Sequence, residues 1–368
     1  MTFTDTDARH MARALELARR GLYTTDPNPR VGCVITKAGR VVGEGFHERA
    51  GAPHAEINAL RAAGDAARGA TVYLTLEPCC HHGKTPPCTT ALVSAGVARV
   101  VAAMADPNPR VAGQGFAELT QAGIESARGL MQAEAEVLNP GFASRMQRGR
   151  PYVRVKLAAS LDGRTALASG ESKWITGEPA RADVQHWRAR SSAILPGIGT
   201  VLADDPALTV RAFDIGRQPR RVVLDSRLRM SPQAKMLTLP GTTLVVTAAS
   251  DGVRAEALQN AGAEVLALEK DGHVDLAALM QALAAREVNE LLVEAGATLS
   301  GALLEAGLAD ELVLYYAPLL LGDNGRGMFR LDAVTQMAAR VELEIKDARP
   351  IGRDWRVIAK VASSKRQE

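Results

Sequence analysis

Aromatic residues are scarce in this 368-residue chain, at 4%, and cysteines number only four. Four cysteines cannot form a dense disulfide framework in a chain of this length. Three of them, Cys79, Cys80 and Cys88, fall within ten residues, a spacing that suits a metal better than staples. Long hydrophobic runs are missing too. The longest apolar stretch, Leu312 to Leu321, is broken by Pro318 and falls short of the ~20 residues that span a bilayer. Neither sign of charge dominates: 44 Lys and Arg stand against 41 Asp and Glu, for a net +3, spread evenly along the chain. A nucleic-acid binder concentrates its basic residues in one domain or stripe. Neither nucleic acid nor membrane is therefore an expected partner. Asp5, Asp7 and Arg9 have no apolar run behind them, so no signal peptide is expected, and the cytoplasm is the expected compartment.

What is present is an ordinary globular composition, 46% apolar and 23% charged, at a length that suits two domains. Helical spacing over Asp5–Arg20 is followed by two strands, Val31–Thr36 and Arg40–Phe46. A helix over Ala55–Ala67, a strand over Thr71–Leu76, a helix over Thr89–Ala95 and a strand over Arg99–Met104 come next. Helices are then expected over Phe116–Ala122 and Leu130–Leu138. The alternation predicts a small α/β sandwich. Arg148-Gly149-Arg150-Pro151 is a polar joint, so domains are expected at 1–148 and 149–368. The second half offers strands at Tyr152–Ala159, Arg221–Asp225, Thr242–Thr247, Glu264–Leu268, Glu290–Glu294 and Glu311–Ala317. A helix is expected over Glu178–Arg190. Val341–Ile345 and Trp355–Val361 close the chain as an antiparallel pair at the edge of a mostly parallel sheet.

One hexapeptide occurs twice, at Asp26-Pro-Asn-Pro-Arg-Val31 and Asp106-Pro-Asn-Pro-Arg-Val111. With no longer repeat around either copy, it reads as two stiff turns or as two loops lining one pocket.

The strongest chemical signal is His54-Ala55-Glu56 followed by Pro78-Cys79 and then Cys88. Zinc takes imidazole and thiolate ligands, and a catalytic site supplies three of them and leaves the fourth position to water. A glutamate two residues after the histidine can stand beside the metal and carry a proton from that water to a leaving amine. His-x-Glu with Pro-Cys and a second Cys is the zinc deaminase pattern, although the usual second cysteine follows after two residues and here eight intervene. Cys80, His81 and His82 leave a rival reading open. If one of them filled the fourth position, the zinc would be structural and the domain a binding module. A nucleoside or tRNA deaminase would carry the short cysteine spacing and a basic face.

In the second half, Lys156 to Arg164 is a strand running into a turn, and Gly170 to Gly177 a loop with an exposed-looking Trp174. Thr200 to Arg211 reads as a loop with two carboxylates and an arginine. Leu292 to Ala302 is a strand, a glycine turn and a helix start. Such a start can bind an anion through its N–H groups or simply connect. It is not the Gly-x-Gly-x-x-Gly of a dinucleotide motif.

Asn28-Pro29-Arg30-Val31-Gly32, His54-Ala55-Glu56 and the run Leu76-Glu77-Pro78-Cys79-Cys80-His81-His82-Gly83-Lys84-Thr85-Pro86-Pro87-Cys88 resemble the deaminase half of the bifunctional riboflavin biosynthesis deaminase–reductase family. Cys80 departs from the family pattern, which expects Ser. The resemblance implies a cytidine-deaminase-like α/β/α domain acting on a pyrimidine ribosylamino phosphate. It implies His54, Cys79 and Cys88 as zinc ligands, Glu56 as proton shuttle, and Asn28, His47, His81 and Lys84 as substrate contacts. It extends over Lys156–Gly163, Gly170–Trp174, Thr200–Arg211 and Glu294–Ala302, which are similar to the reductase half. There it implies a dihydrofolate-reductase-like α/β domain in which NADPH reduces the ribosyl chain to ribityl. Ala158, Trp174, Thr200, Asp204, Ser226, Gly296, Ala297, Thr298, Leu299, Ser300, Gly301 and Ala302 would face the cofactor. Lys156, Ser172, Arg188, Leu208, Arg211 and Glu294 would face substrate, with Arg188 and Arg211 suited to a phosphate. A homo-oligomer, dimer or tetramer, is expected from the same resemblance.

Overall fold

The computed structural model describes residues 3–80 and 87–362. The chain divides into two compact units, Met1–Arg150 and Pro151–Glu368.

The first unit opens with α1 (Asp5–Arg19), whose Thr4 and Asp7 form a reciprocal capping box, worth about 1 kcal/mol. Strands β1 (Gly32–Lys37) and β2 (Arg40–Phe46) form a hairpin. They are followed by α2 (Ala55–Ala63), β3 (Thr71–Leu74), α3 (Cys88–Ala95), β4 (Arg99–Ala102), α4 (Gln114–Gln121), β5 (Glu125–Arg128), α5 (Gln132–Leu138) and α6 (Pro140–Arg148). The sheet order is β2-β1-β3-β4-β5, antiparallel as far as β3 and parallel beyond it. Side chains alternate between its two faces, as a strand period of two requires. Cys33, Ile35, Val72, Leu74, Val100 and Ala102 pack toward α2, α3 and α4. Val34, Tyr73 and Val101 pack toward α1 and α5. Helix α2 lies close on the sheet because Gly45 has no side chain: a Cβ there would stand 2.5 Å from the Ala55 carbonyl oxygen. That contact fixes the start of α2 and the two residues, His54 and Glu56, that flank Ala55.

The second unit runs β6 (Tyr152–Ser160), β7 (Arg164–Ala166), α7 (Glu178–Arg190), β8 (Ala193–Leu195), α8 (Ile198–Asp204), β9 (Arg220–Leu224), β10 (Thr243–Thr247), α9 (Gly252–Asn260) and β11 (Ala263–Ala267). After it come β12 (Glu269–Lys270), β13 (His273–Val274), α10 (Leu276–Ala285), β14 (Glu290–Val293), α11 (Ala297–Glu305), β15 (Glu311–Ala317), β16 (Arg326–Gly327), β17 (Leu343–Ile351) and β18 (Asp354–Val361). Nine strands form one sheet in the order β11-β10-β9-β8-β14-β6-β15-β18-β17. It is parallel from β11 to β15, with β18 and β17 antiparallel at one edge. Its two cores again alternate along the strands. Val222, Leu244, Leu291 and Leu312 face α10 and α11, and Val223, Val245, Leu292 and Val313 face α7, α8 and α9.

Several boundaries differ from the sequence expectation. Thr200 to Asp204 is helical, not loop. Gly197 and Gly199 hide this helix from propensity, and the burial of Ile198 and Val201 forms it. The short strand β5 and helix α6 were also not anticipated. The residues of β5 are exposed or half-buried, so it carries no clear apolar alternation.

Candidate active sites

Three segments of the first unit bring the candidate metal-ligand side chains together. His54 is the N-cap of α2, Cys79 follows β3 in the non-helical stretch after Pro78, and Cys88 opens α3. Of the two cysteines only Cys88 stands at a helix start. Cys79 reaches the same helix terminus through space, where the Cys88 N–H points at its sulfur at 3.4 Å. The local partial positive charge of a helix start favours thiolate there.

His54 Nδ1 lies 3.3 Å from Cys88 Sγ and 3.6 Å from Cys79 Sγ, and the three ligand atoms all fall within 4.8 Å of one another. Tetrahedral zinc with its usual Zn–S and Zn–N bonds separates sulfur from nitrogen by ~3.6 Å. The donor set thus fits zinc in chemistry and in spacing. Donation from Cys88, opposed by burial and helped by His54, brings the Cys79 thiol down to about 4. Cys88 is pushed far up by that same bond and by its burial. The hydrogen bond between the two sulfurs and the neighbouring imidazole thus favour a thiolate at Cys79. Cys80 is outside this cluster among the described residues; its sulfur lies 3.9 Å from Gln114 Oε1.

Glu56, in the first turn of α2, is 4% exposed. Burial raises its carboxyl, and the Cys79 thiolate adds to the rise. Asn28 and His47 also meet beside the cluster. The His47 and His54 rings are edge to face at 5.4 Å. His47 Nδ1 lies 3.1 Å from the Pro53 carbonyl oxygen, which can only accept, so Nδ1 carries the proton. Burial lowers the affinity of this imidazole for a second proton. His47 Nε2 is then an acceptor for the Asn28 amide at 3.0 Å. His81 and Lys84 lie outside the described residues.

The two hexapeptide copies take different roles around this cluster. The first supplies Asn28. The second turns on its own side chains: Asp106 Oδ1 accepts the Asn108 N–H and Asn108 Oδ1 the Arg110 N–H. Its start is tied to Glu77, whose Oε2 accepts the Asp106 N–H at 3.1 Å. Desolvation raises the Asp106 carboxyl to about 6, its hydrogen bond from Asn108 working against the rise.

In the second unit, Lys156, Arg188 and Glu294 converge from β6, α7 and the end of β14. Arg188 grips Glu294 with two parallel bonds, Nε to Oε1 at 2.6 Å and Nη2 to Oε2 at 2.9 Å, and gives Nη1 to the Thr209 carbonyl at 3.3 Å. Its side chain is 13% exposed and that of Glu294 11%, so the pair is largely desolvated. Burial works against the charge on Glu294, but Arg188 and then Lys156 hold it below the usual range. Burial lowers Lys156, with Glu294 opposing. The arginine expected at a phosphate thus already has a carboxylate partner, which the sequence could not show because the two lie 106 residues apart.

On the cofactor side, Gly296 is the N-cap of α11 and offers no side chain to its N–H groups. A Cβ there would meet nothing within 4 Å, which leaves an open cradle for an anion. Gly296 to Ala302 form the opening of this helix, although Leu299 and Gly301 are buried and Ser300 fully so. Trp174 is 69% exposed, with the Arg181 guanidinium 4.7 Å from its ring centroid. Asp204 pairs with Lys173 at 2.7 Å, tying α8 to the Trp174 loop. Leu208 is buried, while Arg211 is exposed and gives its backbone N–H to Gln185. Ala158 and Ser226 are half-buried, Thr200 sits on α8, and Ser172 is exposed on its loop.

The profile for the cytidine and deoxycytidylate deaminase zinc-binding region matches residues 4–104, and that for the RibD C-terminal domain matches residues 151–357. The riboflavin biosynthesis protein RibD of Escherichia coli is 53% identical over 361 residues, covering 95% of this chain and 97% of its own length. That of Haemophilus influenzae is 49% identical over 367 residues, covering 96% and 97%. Among solved structures, Acinetobacter baumannii RibD superposes with a TM-score of 0.91 at 49% identity over 97% of this chain and 99% of its own. A Thermotoga maritima diaminohydroxyphosphoribosylaminopyrimidine deaminase/5-amino-6-(5-phosphoribosylamino)uracil reductase superposes at 0.85 with 33% identity, covering 97% and 99%. The chain belongs to the bifunctional riboflavin biosynthesis deaminase–reductase family, zinc-dependent in its first unit and NADPH-dependent in its second.

Proposed function

We propose that His54, Cys79 and Cys88 are the zinc ligands of the deaminase and that Glu56 is its proton carrier. The observation that carries this is the convergence of those three ligand atoms next to a buried carboxyl two residues from one of them. Zinc, when bound, supplies a water that ionises near neutral pH. Glu56 takes up the proton and returns it to the departing amine. A buried carboxyl with a raised pKa suits both halves of that task. The neutral His47 takes one N–H of Asn28 and so turns the Asn28 amide, whose carbonyl oxygen is presented to a donor on the pyrimidine. The expected substrate is 2,5-diamino-6-(5-phosphoribosylamino)pyrimidin-4-one, with His81 and Lys84 as further contacts.

In the second unit, the N-terminus of α11 would hold an NADPH phosphate through backbone N–H groups, and Ala158, Trp174, Thr200, Asp204 and Ser226 would line the rest of the cofactor site. Lys156, Ser172, Arg188, Leu208, Arg211 and Glu294 would receive the opened sugar. Here Glu294 holds Arg188 in place, and Lys156 faces the substrate from β6. A reducing cytosol suits a site built on free thiols. A dimer or larger homo-oligomer is supported by β17, a sheet edge on which Ile345 is 65% exposed and next to which Trp355 of β18 is 52% exposed. Such an edge invites pairing.

The test is a single cuvette. Ammonia should be released from the diaminopyrimidine phosphate, and NADPH absorbance should fall only after that release. Absence of ammonia from a zinc-loaded chain would remove the deaminase assignment.

A further inference from the structure

Glu77 has no part in the chemistry above, yet it is 3% exposed and stands two residues before Cys79. Its Oε2 accepts the N–H groups of Asp106 and Gly113 at 3.1 and 3.0 Å. Its Oε1 accepts those of Gly115 and Phe116 at 3.0 and 3.4 Å. Gly113 is the N-cap of α4 and has no side chain to offer, and Gly115 and Phe116 are the second and third residues of that helix. Glu77 therefore does from a distant segment what an Asp or Ser N-cap does locally. Its negative charge is also favourable at a helix N-terminus. Gly115 is needed for this approach, since a Cβ there would stand 2.3 Å from the Pro78 carbonyl oxygen.

The same helix holds the second cysteine segment. Glu118 of α4 accepts the Thr89 hydroxyl at 2.6 Å. Thr89 follows Cys88 directly, and its N–H donates to the Cys79 carbonyl at 3.2 Å. One end of α4 thus grips the Glu77-Pro78-Cys79 turn, and its middle grips Cys88-Thr89. Both grips act on a side chain one or two residues from a cysteine.

We propose that Glu77 is a positioning residue of the deaminase, using α4 as a brace that sets the spacing of Cys79 from Cys88, with the Thr89–Glu118 bond as its second point. This rests on the zinc assignment above. Groups that orient metal ligands without touching the metal typically change metal affinity or activity about 10–100-fold when replaced. Glutamine at this position keeps the shape but has one carbonyl oxygen in place of two carboxylate oxygens, and its NH₂ would face N–H donors.

The experiment uses the full chain, zinc-loaded, as wild type, Glu77→Gln, Glu77→Asp and Thr89→Val. Zinc release to a chromogenic chelator, the sulfur-to-metal absorption of the cobalt-substituted protein, and kcat and KM for deamination are measured. NADPH oxidation by the same samples, supplied with already deaminated substrate, reports the second unit. Glu77→Gln should release zinc about 10–100-fold faster, shift the cobalt band, and lower kcat with KM nearly unchanged, while NADPH oxidation stays at the wild-type level. Glu77→Asp, which keeps the charge on a shorter arm, should fall between. Thr89→Val should move zinc release in the same direction by less. Wild-type zinc release and an unshifted cobalt band in folded Glu77→Gln would overturn the proposal. If Glu77→Gln does not fold, Thr89→Val decides: faster release supports the brace and unchanged release overturns it. Zinc retained at the wild-type level by His54→Ala would overturn the metal site itself, and the brace with it.

Discussion

The two units solve the same problem, holding a reactive small molecule, with opposite materials. In the first, the proposed metal ligands and proton carrier fall between His54 and Cys88, and the ligands are of scarce types, His and Cys. In the second, the candidate residues run from Lys156 to Ala302 and, Trp174 apart, are mostly of common types such as Gly, Ala, Ser, Thr, Leu, Asp, Arg and Glu. A metal demands particular donor atoms, so it leaves a signature in residue identity. A dinucleotide brings its own chemistry and asks for shape and backbone donors, which many sequences supply.

Removing Glu56 should break this comparison most sharply. Glu56→Gln is expected to lower deamination by about 10²–10⁴-fold with zinc content unchanged, while NADPH oxidation on deaminated substrate continues. Coupled ammonia and NADPH assays on one sample check it. Full deaminase activity in the zinc-replete variant would sink the assignment of Glu56.

Arg188→Ala tests the second unit by the same logic. Hydrogen bonds from a guanidinium to a charged group are worth roughly 1.5–3 kcal/mol, a loss of about 10–100-fold in sugar phosphate affinity. NADPH affinity should change far less. Because Glu294 would be left buried without its partner, the second unit should also lose on the order of 3 kcal/mol of stability. Separate titrations of the two ligands and a melting curve would distinguish these effects. A greater loss for NADPH than for the sugar phosphate would move Arg188 to the cofactor side.

Acid should strain the first unit through one carboxyl. Asp7 is 3% exposed. Its burial would raise its pKa, but bonds from the Thr4 backbone, the Tyr73 and Thr4 hydroxyls and Arg99 outweigh that and hold it well below the usual range. A carboxyl lowered by folding contributes stability that is present above its unfolded pKa, about 3.9, and is lost as pH falls through the native value. Stability of the first unit should therefore decline progressively below about pH 4. Asp7→Asn should flatten that decline while lowering stability at neutral pH by about 2 kcal/mol. Denaturant midpoints at pH 3, 5 and 7 would read both, and an unchanged acid slope in Asp7→Asn would count against this carboxyl.

The smallest effect is expected at Cys80. Cys80→Ser should leave zinc content and deaminase rate within about twofold, because three ligands already suffice and a fourth thiolate would displace the catalytic water. Zinc loss like that of Cys79→Ser would instead mark a closed, structural site.

Hydrophobic patterning and turn residues carried most of the element order in both units, helix α8, strand β5 and helix α6 apart. Strands such as Cys33-Val34-Ile35 and Leu291-Leu292-Val293 bury both faces and so read as short continuous apolar runs between turn residues. Residue identity carried the metal cluster, since few other reasons bring a histidine, two cysteines and an acid to such spacing. What stayed hidden depends on approach between distant segments. Helix α8 is made by burial of Ile198 and Val201 despite two glycines. Glu294 meets Arg188 only because α7 packs along β14. The carboxylate of Glu77 looks in the sequence like any acid beside a Pro-Cys pair. Its four N–H partners begin 29 residues later, and only folding brings their donors, which every residue type except proline shares, into reach of a single side chain.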